Sequence, residues 1–539
     1  MADNLSMNSE GQGILLEIPE QPPMPPVVAP VIEPEKPKAK VKPIDRSQGV
    51  LRPVIVEELV GPDHKVRAIW ELTGQLDLSG YYGKIQSQEG KAGSSAWNPQ
   101  LLLSVWLYAY SEQVTSARYL STLMEYEPGL MWLAGLGVVN YWTLNAFRSS
   151  HQEELSKLLA ELLGVLSHEG LITLECVAHD GTKIQAQAGS DTFRRGKTLE
   201  KEILKAQELV VELERQEASG GSGNARRDAA QRRAARERNE RMKLAAEELE
   251  KVRAAKKSEQ ERAEARVSLT EPESRNMKHG NNAIEPSYNV QISVDAEQKI
   301  IVGFCLTQSS SDSGCLQEAM EQVKETVGRY PEQSVADGGF TNQASIHDMN
   351  QSGIDFYGSL AEPEMRQAAS MKAAGIDPAF GPSAFQVLTE SKSLQCPAGK
   401  ILEYVRQSKK GDTTYWQYQA ESKDCGGCEY QKQCCPRPEK GRLVSIRMEE
   451  NEEVAAFREK MKTEAAQQIY KKRGPVAEFP NAWIKEKLGI RKFRLRGMAK
   501  ATTEALWGVL TYDVQQWIRL SWRPKVMAAV VGNGATQLA

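Results

Sequence analysis

The order of periodic patterns between residues 171 and 360 constrains the fold most. A pattern of an apolar strand followed by a turn covers 171–186, a β-hairpin pattern covers 288–305, and helix, strand, helix and strand patterns follow to residue 360. Period-two strands mixed with helices of three-and-four spacing are typical of a mixed α/β domain. At 539 residues the chain is long enough for several units of about 100 to 200 residues each.

The first 165 residues divide into two segments of different composition. Residues 1–50 are rich in proline and poor in apolar residues, which predicts a disordered tail. Residues 51–165 carry apolar residues at three-and-four spacing, which predicts a small all-helical domain. Arg118, Arg148 and His151 of this domain are candidates either for phosphate contacts or for the solvated polar faces of a bundle.

A long charged stretch interrupts the α/β pattern. Residues 197–267 contain two helical patterns around a Gly/Ser-rich interruption at 219–224. This predicts an antiparallel helical hairpin inserted into the α/β domain. Glu and Arg are intermixed along it, which is typical of a solvated helix surface rather than of a DNA-binding stripe.

Composition excludes some classes of protein. The net charge of -3 and the pI near 6.2 argue against a uniformly basic nucleic-acid binder, so DNA binding would need a local gathering of positive charge. The chain begins with polar and acidic residues and has no apolar run near the roughly 20 residues that span a bilayer, so we expect a cytoplasmic protein. Eight cysteines in such a chain do not form a disulfide framework.

Two aspartates occur at similar places in the pattern. Asp180 and Asp337 each follow an apolar strand-like run and precede a glycine-containing turn, in HDGTK and ADGGF. At the ends of neighbouring strands, two such carboxylates could share divalent cations and serve phosphodiester cleavage. For either acid alone, a turn-forming aspartate is the better interpretation.

Positive charge gathers locally after residue 484, where a single acid, Glu486, accompanies seven basic residues. These are Lys485, Lys487, Arg491, Lys492, Arg494, Arg496 and Lys500. Phosphate contacts by this segment would make DNA binding strongly salt-dependent, and a solvated basic face is the alternative.

Four cysteines fall close together in a glycine-containing, poorly periodic region over 381–445. Cys396, Cys425, Cys428 and Cys434 form the spacing C-x28-C-x2-C-x5-C, which suits a tetrahedral structural Zn²⁺. Cys435 could replace Cys434 as the fourth ligand, and reduced cysteines without metal are the alternative.

Residues 469–497 resemble the C-terminal signature of DDE transposases from bacterial insertion sequences. Their sequence is IYKKRGPVAEFPNAWIKEKLGIRKFRLRG. The tyrosine, arginine, catalytic glutamate and lysine of that signature match Tyr470, Arg473, Glu478 and Lys485. The blocks AHDGTKIQAQAG and VADGGFTNQASI resemble those that carry the first and second aspartates of the family. The resemblance therefore implies a catalytic triad, which consists of Asp180, Asp337 and Glu478.

Further blocks extend the resemblance over most of the chain. Residues 268–295 resemble the block between the two aspartates, and 58–151 resemble the family's helical N-terminal domain of the InsH type. This chain departs from the family in one respect. In the family, proline usually follows the glutamate directly, whereas here the order is Glu478-Phe479-Pro480, with Pro475 upstream. Proline is tolerated only in a first helical turn, which predicts that this helix begins no earlier than about Ala477, with Glu478 near its positive end.

The resemblance implies a ribonuclease-H-like mixed sheet in which the three carboxylates hold two Mg²⁺ or Mn²⁺ ions. It also implies binding of double-stranded DNA, namely the terminal repeats of an element and a target, metal-dependent cleavage and strand transfer, and a homodimer on DNA. Related transposases carry similar cysteines, which supports a zinc-ribbon-like insertion. The DNA-facing candidates are Tyr470, Arg473, Lys485, Lys487, Arg491, Lys492, Arg494 and Arg496.

The expected organisation combines these patterns with the resemblance. A tail over 1–50 precedes a helical DNA-binding domain over 51–165, a first catalytic part over 166–380 with the hairpin at 197–267, a Cys-rich insertion over 381–449, the glutamate-bearing region over 450–525 and a tail over 526–539. A catalytically inactive DNA-binding protein derived from such an enzyme is one alternative. A structural scaffold built on the hairpin is another.

Overall fold

The computed structural model describes residues 53–87, 95–219, 224–360, 370–388, 392–410, 413–447 and 451–536. The tail expected over 1–50 lies outside this part of the chain. Val54–Ala539 form one compact unit. Among the helices of the described ranges, none is both long and apolar enough to cross a membrane.

The first part of this unit is helical, with short helices that begin at well-defined caps. Its helices are α1 Lys65–Gln75, α2 Ser79–Tyr82, α3 Pro99–Ser111, α4 Ala117–Leu123, α5 Pro128–Ala134, α6 Tyr141–Ser149 and α7 Gln152–His168. The Asn98 side chain accepts a hydrogen bond from Gln100 N, and Pro99 occupies the first helical turn, where its missing N–H costs nothing. Asn98 and Pro99 therefore fix the start of α3.

A mixed sheet follows the helical region. Its strands are β1 Cys176–Gln185, β4 Arg275–Lys278, β5 Ile284–Asp295, β6 Ile301–Thr307, β7 Gln333–Ala336 and β8 Asp355–Gly358. They are ordered β4-β5-β1-β7-β8, and β6 pairs with β5. β1 is antiparallel to β5 and parallel to β7, and β7 is parallel to β8. Helices α11 Leu316–Val327 and α12 Gln343–Gln351 connect the later strands, so the fold is mixed α/β as the pattern predicted.

A helical hairpin lies between β1 and β4. It consists of α8 Gly196–Ala218 and α9 Ala225–Ala254, followed by α10 Glu259–Ala263, and the short strands β2 Phe193–Arg195 and β3 Arg266–Ser268 pair at its base. Its own small core contains Leu199, Ala206, Met242, Ala245 and Leu249. The side chain of Glu248 is buried and accepts hydrogen bonds from Arg275 and Gln308, which ties the hairpin to the mixed sheet.

The cysteine-containing region folds around a second, antiparallel sheet ordered β13-β12-β11-β10-β9. Its strands are β9 Gln386–Leu388, β10 Ser393–Gln395, β11 Ile401–Lys410, β12 Thr413–Ala420 and β13 Leu443–Arg447, with the short helices α13 Ser422–Gly426 and α14 Gln431–Cys434 before β13. Leu394, Leu402, Tyr418 and Val444 form a core of their own. The region is poorly periodic in sequence and nevertheless has an apolar core of its own.

The last part of the chain is helical and passes beside both earlier regions. Its helices are α15 Glu452–Lys462, α16 Glu464–Lys471, α17 Arg473–Glu486, α18 Met498–Trp517 and α19 Arg523–Thr536, with a π-helical turn at Ile518–Trp522. The segment expected as a tail from residue 526 thus continues as helix α19 to Thr536.

Helix α18 joins the helical region to the mixed sheet. Trp507 lies against Trp106 and Tyr110 of α3, with ring centroids 6.4 and 6.1 Å away. On the sheet side, Asp513 Oδ1 accepts a hydrogen bond from Ile301 N at 2.9 Å. Almost every residue from Ala501 to Trp517 is buried, so this helix forms the centre of the unit.

Candidate active site

The two aspartates meet at the centre of the mixed sheet. The parallel pairing of β1 and β7 ends with His179 opposite Ala336. Continuing this register by one residue sets Asp180 beside Asp337, which is the first residue after β7. The negative charge of Asp337 acts on the carboxyl of Asp180, which agrees with this placement.

The local structure at Asp180 differs from the prediction. β1 does not end at Asp180, because β5 pairs with it in antiparallel register as far as Gln185 opposite Ser287. The predicted turn after Asp180 is therefore wrong. Asp337 does follow a strand end, and its Oδ1 accepts a hydrogen bond from Gly339 N at 2.7 Å, which closes the turn.

Helix α17 brings the third acid to these aspartates. The Asn481 side chain donates from Nδ2 to Asp180 Oδ2 at 3.0 Å, so the helix is docked directly on the first aspartate. Glu478 lies one turn before Asn481, and 67 % of its side chain is exposed. Its carboxylate faces Arg473, with Arg473 Nη2 and Glu478 Oε1 3.7 Å apart. Glu478 is therefore on the helix that contacts Asp180, and its carboxylate is paired with a cation of the same helix.

The start of this helix corrects the expectation from its prolines. α17 begins at Arg473, so Pro475 falls in its first turn and Pro480 lies inside the helix. Glu478 is thus in the second turn and not at the positive helix end. Tyr470 belongs to the preceding helix α16, so the four signature residues do not share one continuous helix.

The charges around Asp180 are balanced between opposing effects. Burial, together with the charge of Asp337, raises the pKa of Asp180 to about 6, although the Gly181 amide, Arg473 and Asn481 act in the opposite direction. Burial also lowers the pKa of Lys485, as does Arg491, whereas the charge of Asp180 raises it. Lys485 therefore lies within electrostatic range of the first aspartate.

The carboxylates suit hard divalent cations, which prefer oxygen ligands. Among the described residues, however, no group of three or more His, Cys, Asp or Glu side chains is arranged to hold a metal ion. The structure therefore places Asp180 and Asp337 at adjacent positions of the sheet and Glu478 on the helix that contacts Asp180, without arranging the three as a metal ligand set.

The basic segment after α17 is fixed through its backbone. Gln185 N donates to Arg491 O at 3.2 Å, and Phe493 N donates to Gln185 O at 2.9 Å, so the segment runs along the end of β1. Phe493 is fully buried against Tyr288. Its basic side chains remain on the surface, and the exposed ones are Lys487, Arg491, Lys492, Arg494, Arg496 and Lys500.

The three phosphate candidates of the helical region have different surroundings. Arg148 is 4 % exposed, donates to Thr115 O and lies over the Trp106 ring, so it supports the core instead of facing DNA. His151 stacks on Tyr81. Arg118 is exposed and lies over the ring of Tyr141.

The cysteines converge on one cavity. Cys396, Cys425, Cys428, Cys434 and Cys435 line it together with Asp424 and Lys400. Burial raises the pKa of Cys435 to about 11, with the Cys425 thiol beside it. The convergence agrees with the sequence spacing. The arrangement of the thiols, as described, is nevertheless not that of a zinc ligand set.

Sequence reasoning missed two polar residues at the site. Asn481 was passed over because nothing in its sequence context distinguishes it from a solvated helix residue. Asp312 lies in the serine-rich loop QSSSDSG and accepts hydrogen bonds from Asn289 and Gln291. A signal was present in β5, where polar residues recur at every second position of YNVQISVD.

The fold and site together define a mixed α/β protein with adjacent carboxylates at the centre of its sheet. Residues 395–518 match the family model described as a transposase DDE domain, and residues 54–150 match a transposase domain described as DUF772. The resemblance to a DDE transposase of an insertion sequence is thus confirmed, and the two domains indicate a transposase. The first match includes Glu478 and Lys485, whereas neither match includes Asp180 or Asp337. No curated protein and no solved structure matches the chain significantly.

Proposed function

We propose that this protein is a DDE transposase that binds the ends of its element and catalyses divalent-metal-dependent DNA cleavage and strand transfer. The observation that carries the proposal is the adjacency of Asp180 on β1 and Asp337 directly after β7, with the Glu478 helix docked on Asp180 through Asn481. The antiparallel strands β6-β5-β1 followed by the parallel strands β7 and β8 support a ribonuclease-H-like sheet.

Asp180, Asp337 and Glu478 are the residues that would hold Mg²⁺ or Mn²⁺. Bound there, such ions activate the attacking oxygen and stabilise the leaving oxygen of phosphodiester cleavage. The raised pKa of Asp180 agrees with this assignment, because burial and, to a smaller extent, the charge of the adjacent Asp337 disfavour its ionised form. Glu478 would join them by turning away from Arg473.

The remaining residues would position the nucleic acid. Lys485 lies near Asp180 and can contact a phosphate next to the acids. Beyond it, the exposed side chains of the basic segment can follow the backbone of a duplex, where phosphate contacts supply affinity and orientation. Arg473 would pass from Glu478 to a phosphate when the carboxylate turns away. Tyr470, on the preceding helix α16, is proposed as a further DNA contact.

The partners implied by the resemblance belong to the same proposal. They are double-stranded DNA of the terminal repeats and the target, and a second copy of the chain on that DNA. We also propose a cytoplasmic protein that associates with the nucleoid when bound to DNA. Structural Zn²⁺ in the cysteine cavity is proposed on the convergence of the thiols alone.

The test is strand cleavage of the DNA that flanks the gene, with Mg²⁺ or Mn²⁺, by the wild type and by Asp180→Asn, Asp337→Asn and Glu478→Gln. We expect each amide to abolish cleavage, because it removes a charged oxygen ligand and changes little in size. Binding of the same DNA, measured by fluorescence anisotropy, should stay within about threefold of the wild type, since phosphate contacts by the basic segment dominate the affinity.

Two outcomes would contradict the proposal. Cleavage retained by all three variants would remove the catalytic assignment. Specific DNA binding without cleavage by the wild type would favour the alternative, a catalytically inactive DNA-binding protein.

A further inference from the structure

A polar cluster lies under β1 on the face opposite to the Asp180 carboxylate. Side chains alternate along a strand, so His179 and position 181 face this side. The neighbouring strand β5 contributes the alternate residues Asn289, Gln291 and Ser293. These three side chains and His179 are each at most 1 % exposed.

Hydrogen bonds link these side chains into one chain that ends at Asp312. Asn289 Nδ2 and Gln291 Nε2 both donate to Asp312 Oδ1, at 2.8 and 3.0 Å. The Gln291 amide oxygen lies 2.9 Å from His179 Nε2, and His179 Nδ1 lies 2.9 Å from Ser293 Oγ. Because the Gln291 nitrogen is committed to Asp312, its oxygen accepts from His179 Nε2, and Nδ1 accepts from the Ser293 hydroxyl.

This cluster is unusual for a buried sheet face. Polar side chains that leave water lose hydration, and an apolar face of the same volume would avoid that cost. One atom remains unsatisfied, since Asn289 Oδ1 has no hydrogen-bond partner within the described part of the chain. Packing alone therefore does not account for the cluster.

The cluster packs closely against the backbone of Gly181, next to the first aspartate. A Cβ atom built on Gly181 would lie 2.6 Å from Asp312 Oδ1 and 2.6 Å from Gln291 Nε2. Glycine is therefore required at this position while both atoms keep their hydrogen bonds. The Gly181 amide in turn donates to Asp180 Oδ1 at 2.9 Å, which orients the carboxylate.

The same cluster also touches the turn of the second aspartate. A Cβ atom on Gly339 would lie 3.8 Å from the Cβ of Asp312. The Phe340 ring packs edge-on against His179, with ring centroids 4.8 Å apart. The backbones that carry Asp180 and Asp337 therefore share one polar support.

We propose that Asp312 is a positioning residue for the two candidate catalytic aspartates. Its carboxylate, held by Asn289 and Gln291, fixes Gly181 and thereby the Asp180 carboxylate beside the turn of Asp337. Asp312 acts through Gly181 and does not itself need to contact DNA. This role rests on the proposed transposase function.

The test compares Asp312→Ala with Asp312→Asn in the full chain. Alanine removes the acceptor of both amide donors, whereas asparagine retains Oδ1 in the same place and loses the charge. We expect alanine to lower the single-turnover cleavage rate by about 100-fold, as a misplaced reacting group does, and asparagine to restore most of it. The Kd for DNA should stay within about twofold in both, because the basic segment is unchanged.

A control and a second variant accompany these two. Asp377→Ala alters an exposed aspartate that caps a turn in the cysteine-containing region, and should cleave like the wild type. Gly181→Ala disturbs the same contact from the other side and should reproduce the loss of rate, which keeps the test decisive if Asp312→Ala does not fold.

The contrary outcomes distinguish failure of the positioning role from failure of the proposed function. If the wild type cleaves and Asp312→Ala or Gly181→Ala cleaves equally well, the positioning role falls while the transposase function stands. If Asp312→Asn is as inactive as Asp180→Asn, the charge of Asp312 is needed directly and the positioning role is again wrong. If the wild type does not cleave, the proposed function fails and the positioning role fails with it.

Discussion

Asp513 shows how a single buried carboxyl can make the stability of this protein depend on pH. The residue is fully buried on α18, where its Oδ1 accepts from Ile301 N, and burial raises the pKa of this carboxyl well above its usual range. Because the pKa of this carboxyl is higher in the folded state than in the unfolded state, Asp513 contributes stability to the fold at low pH, where it is protonated. This contribution to the free energy of unfolding is lost as the pH rises through the folded-state pKa.

We expect Asp513→Asn to reduce this pH dependence. Asparagine keeps an oxygen to accept from Ile301 N and cannot ionise, so the Tm of the variant relative to the wild type should rise between pH 5 and pH 8. The corresponding gain in free energy of unfolding is roughly 1.4 kcal/mol for each pH unit by which the folded-state pKa exceeds 5. Thermal unfolding at the two pH values measures it, with the exposed Asp377→Asn as control. A Tm difference that is independent of pH would contradict the expectation.

Single residues also show what sequence reasoning could reach. Asp180, Asp337 and Glu478 came from the resemblance and from acids that follow apolar runs. Asp312 could not be found in this way, because a serine-rich loop carries no periodic signal. Its partners on β5 follow the period of two that normally marks a solvated face, whereas here that face is buried.

Among the elements, α17 shows why boundaries were harder to predict than element types. The two prolines predict that the helix starts at about Ala477, which is about four residues after its actual start at Arg473. Pro475 falls in the first turn, where no hydrogen bond is lost. Pro480 deprives Val476 O of a donor, yet both residues are buried, so packing offsets the loss.

The cysteine-containing sheet gives a test at the scale of an element. If the converging thiols bind structural Zn²⁺, purified wild-type protein should contain about one zinc per chain by elemental analysis, and Cys428→Ser should lose it. Metal loss should also lower the Tm, since binding energy of a structural site adds to folding energy. Cys305→Ser, in the mixed sheet, is the matched control.

Zinc-free wild-type protein with an unchanged fold would support the alternative of reduced cysteines. Zinc retained by Cys428→Ser would point instead to Cys435 as the residue that completes the set.

At the scale of the whole molecule, exposed positive charge gathers in the segment that we propose to bind DNA. The chain as a whole is slightly acidic, with a net charge of -3, while the segment after α17 presents closely spaced exposed cations. On the hairpin, by contrast, Arg236 and Arg238 pair with Glu214 and Glu202 of α8. The mixed charge of the hairpin is thus used within it, as the sequence indicated.

This distribution predicts how DNA affinity responds to salt. Replacing Lys492, Arg494 and Arg496 together by alanine should reduce the slope of log K against log salt by about 3, since each phosphate contact contributes roughly 0.9. The matched control replaces three exposed arginines of α9 by alanine, namely Arg226, Arg227 and Arg233. That triple variant should leave the slope unchanged. An equal loss in both variants would show that the hairpin also contacts DNA.

The fold class could be predicted because alternation and helical periodicity persist over long stretches. The assembly could not, since nothing in the local pattern of α18 indicates that it packs between two regions. Its residues are buried on nearly every side, but they include the polar Glu504, Thr511 and Gln516, which in a sequence are typical of a helix with one solvated face.

The position of α18 also bears on the order of events during synthesis. Trp507 completes the core that Trp106 and Tyr110 begin some 400 residues earlier, and the third acid is likewise supplied only by α17. Contacts over such separations form late, because the ribosome must first release the C-terminal segment. A nascent or prematurely terminated chain that lacks these helices would hold both aspartates without the glutamate. The proposed set of three acids can therefore come together only after Glu478 has been translated.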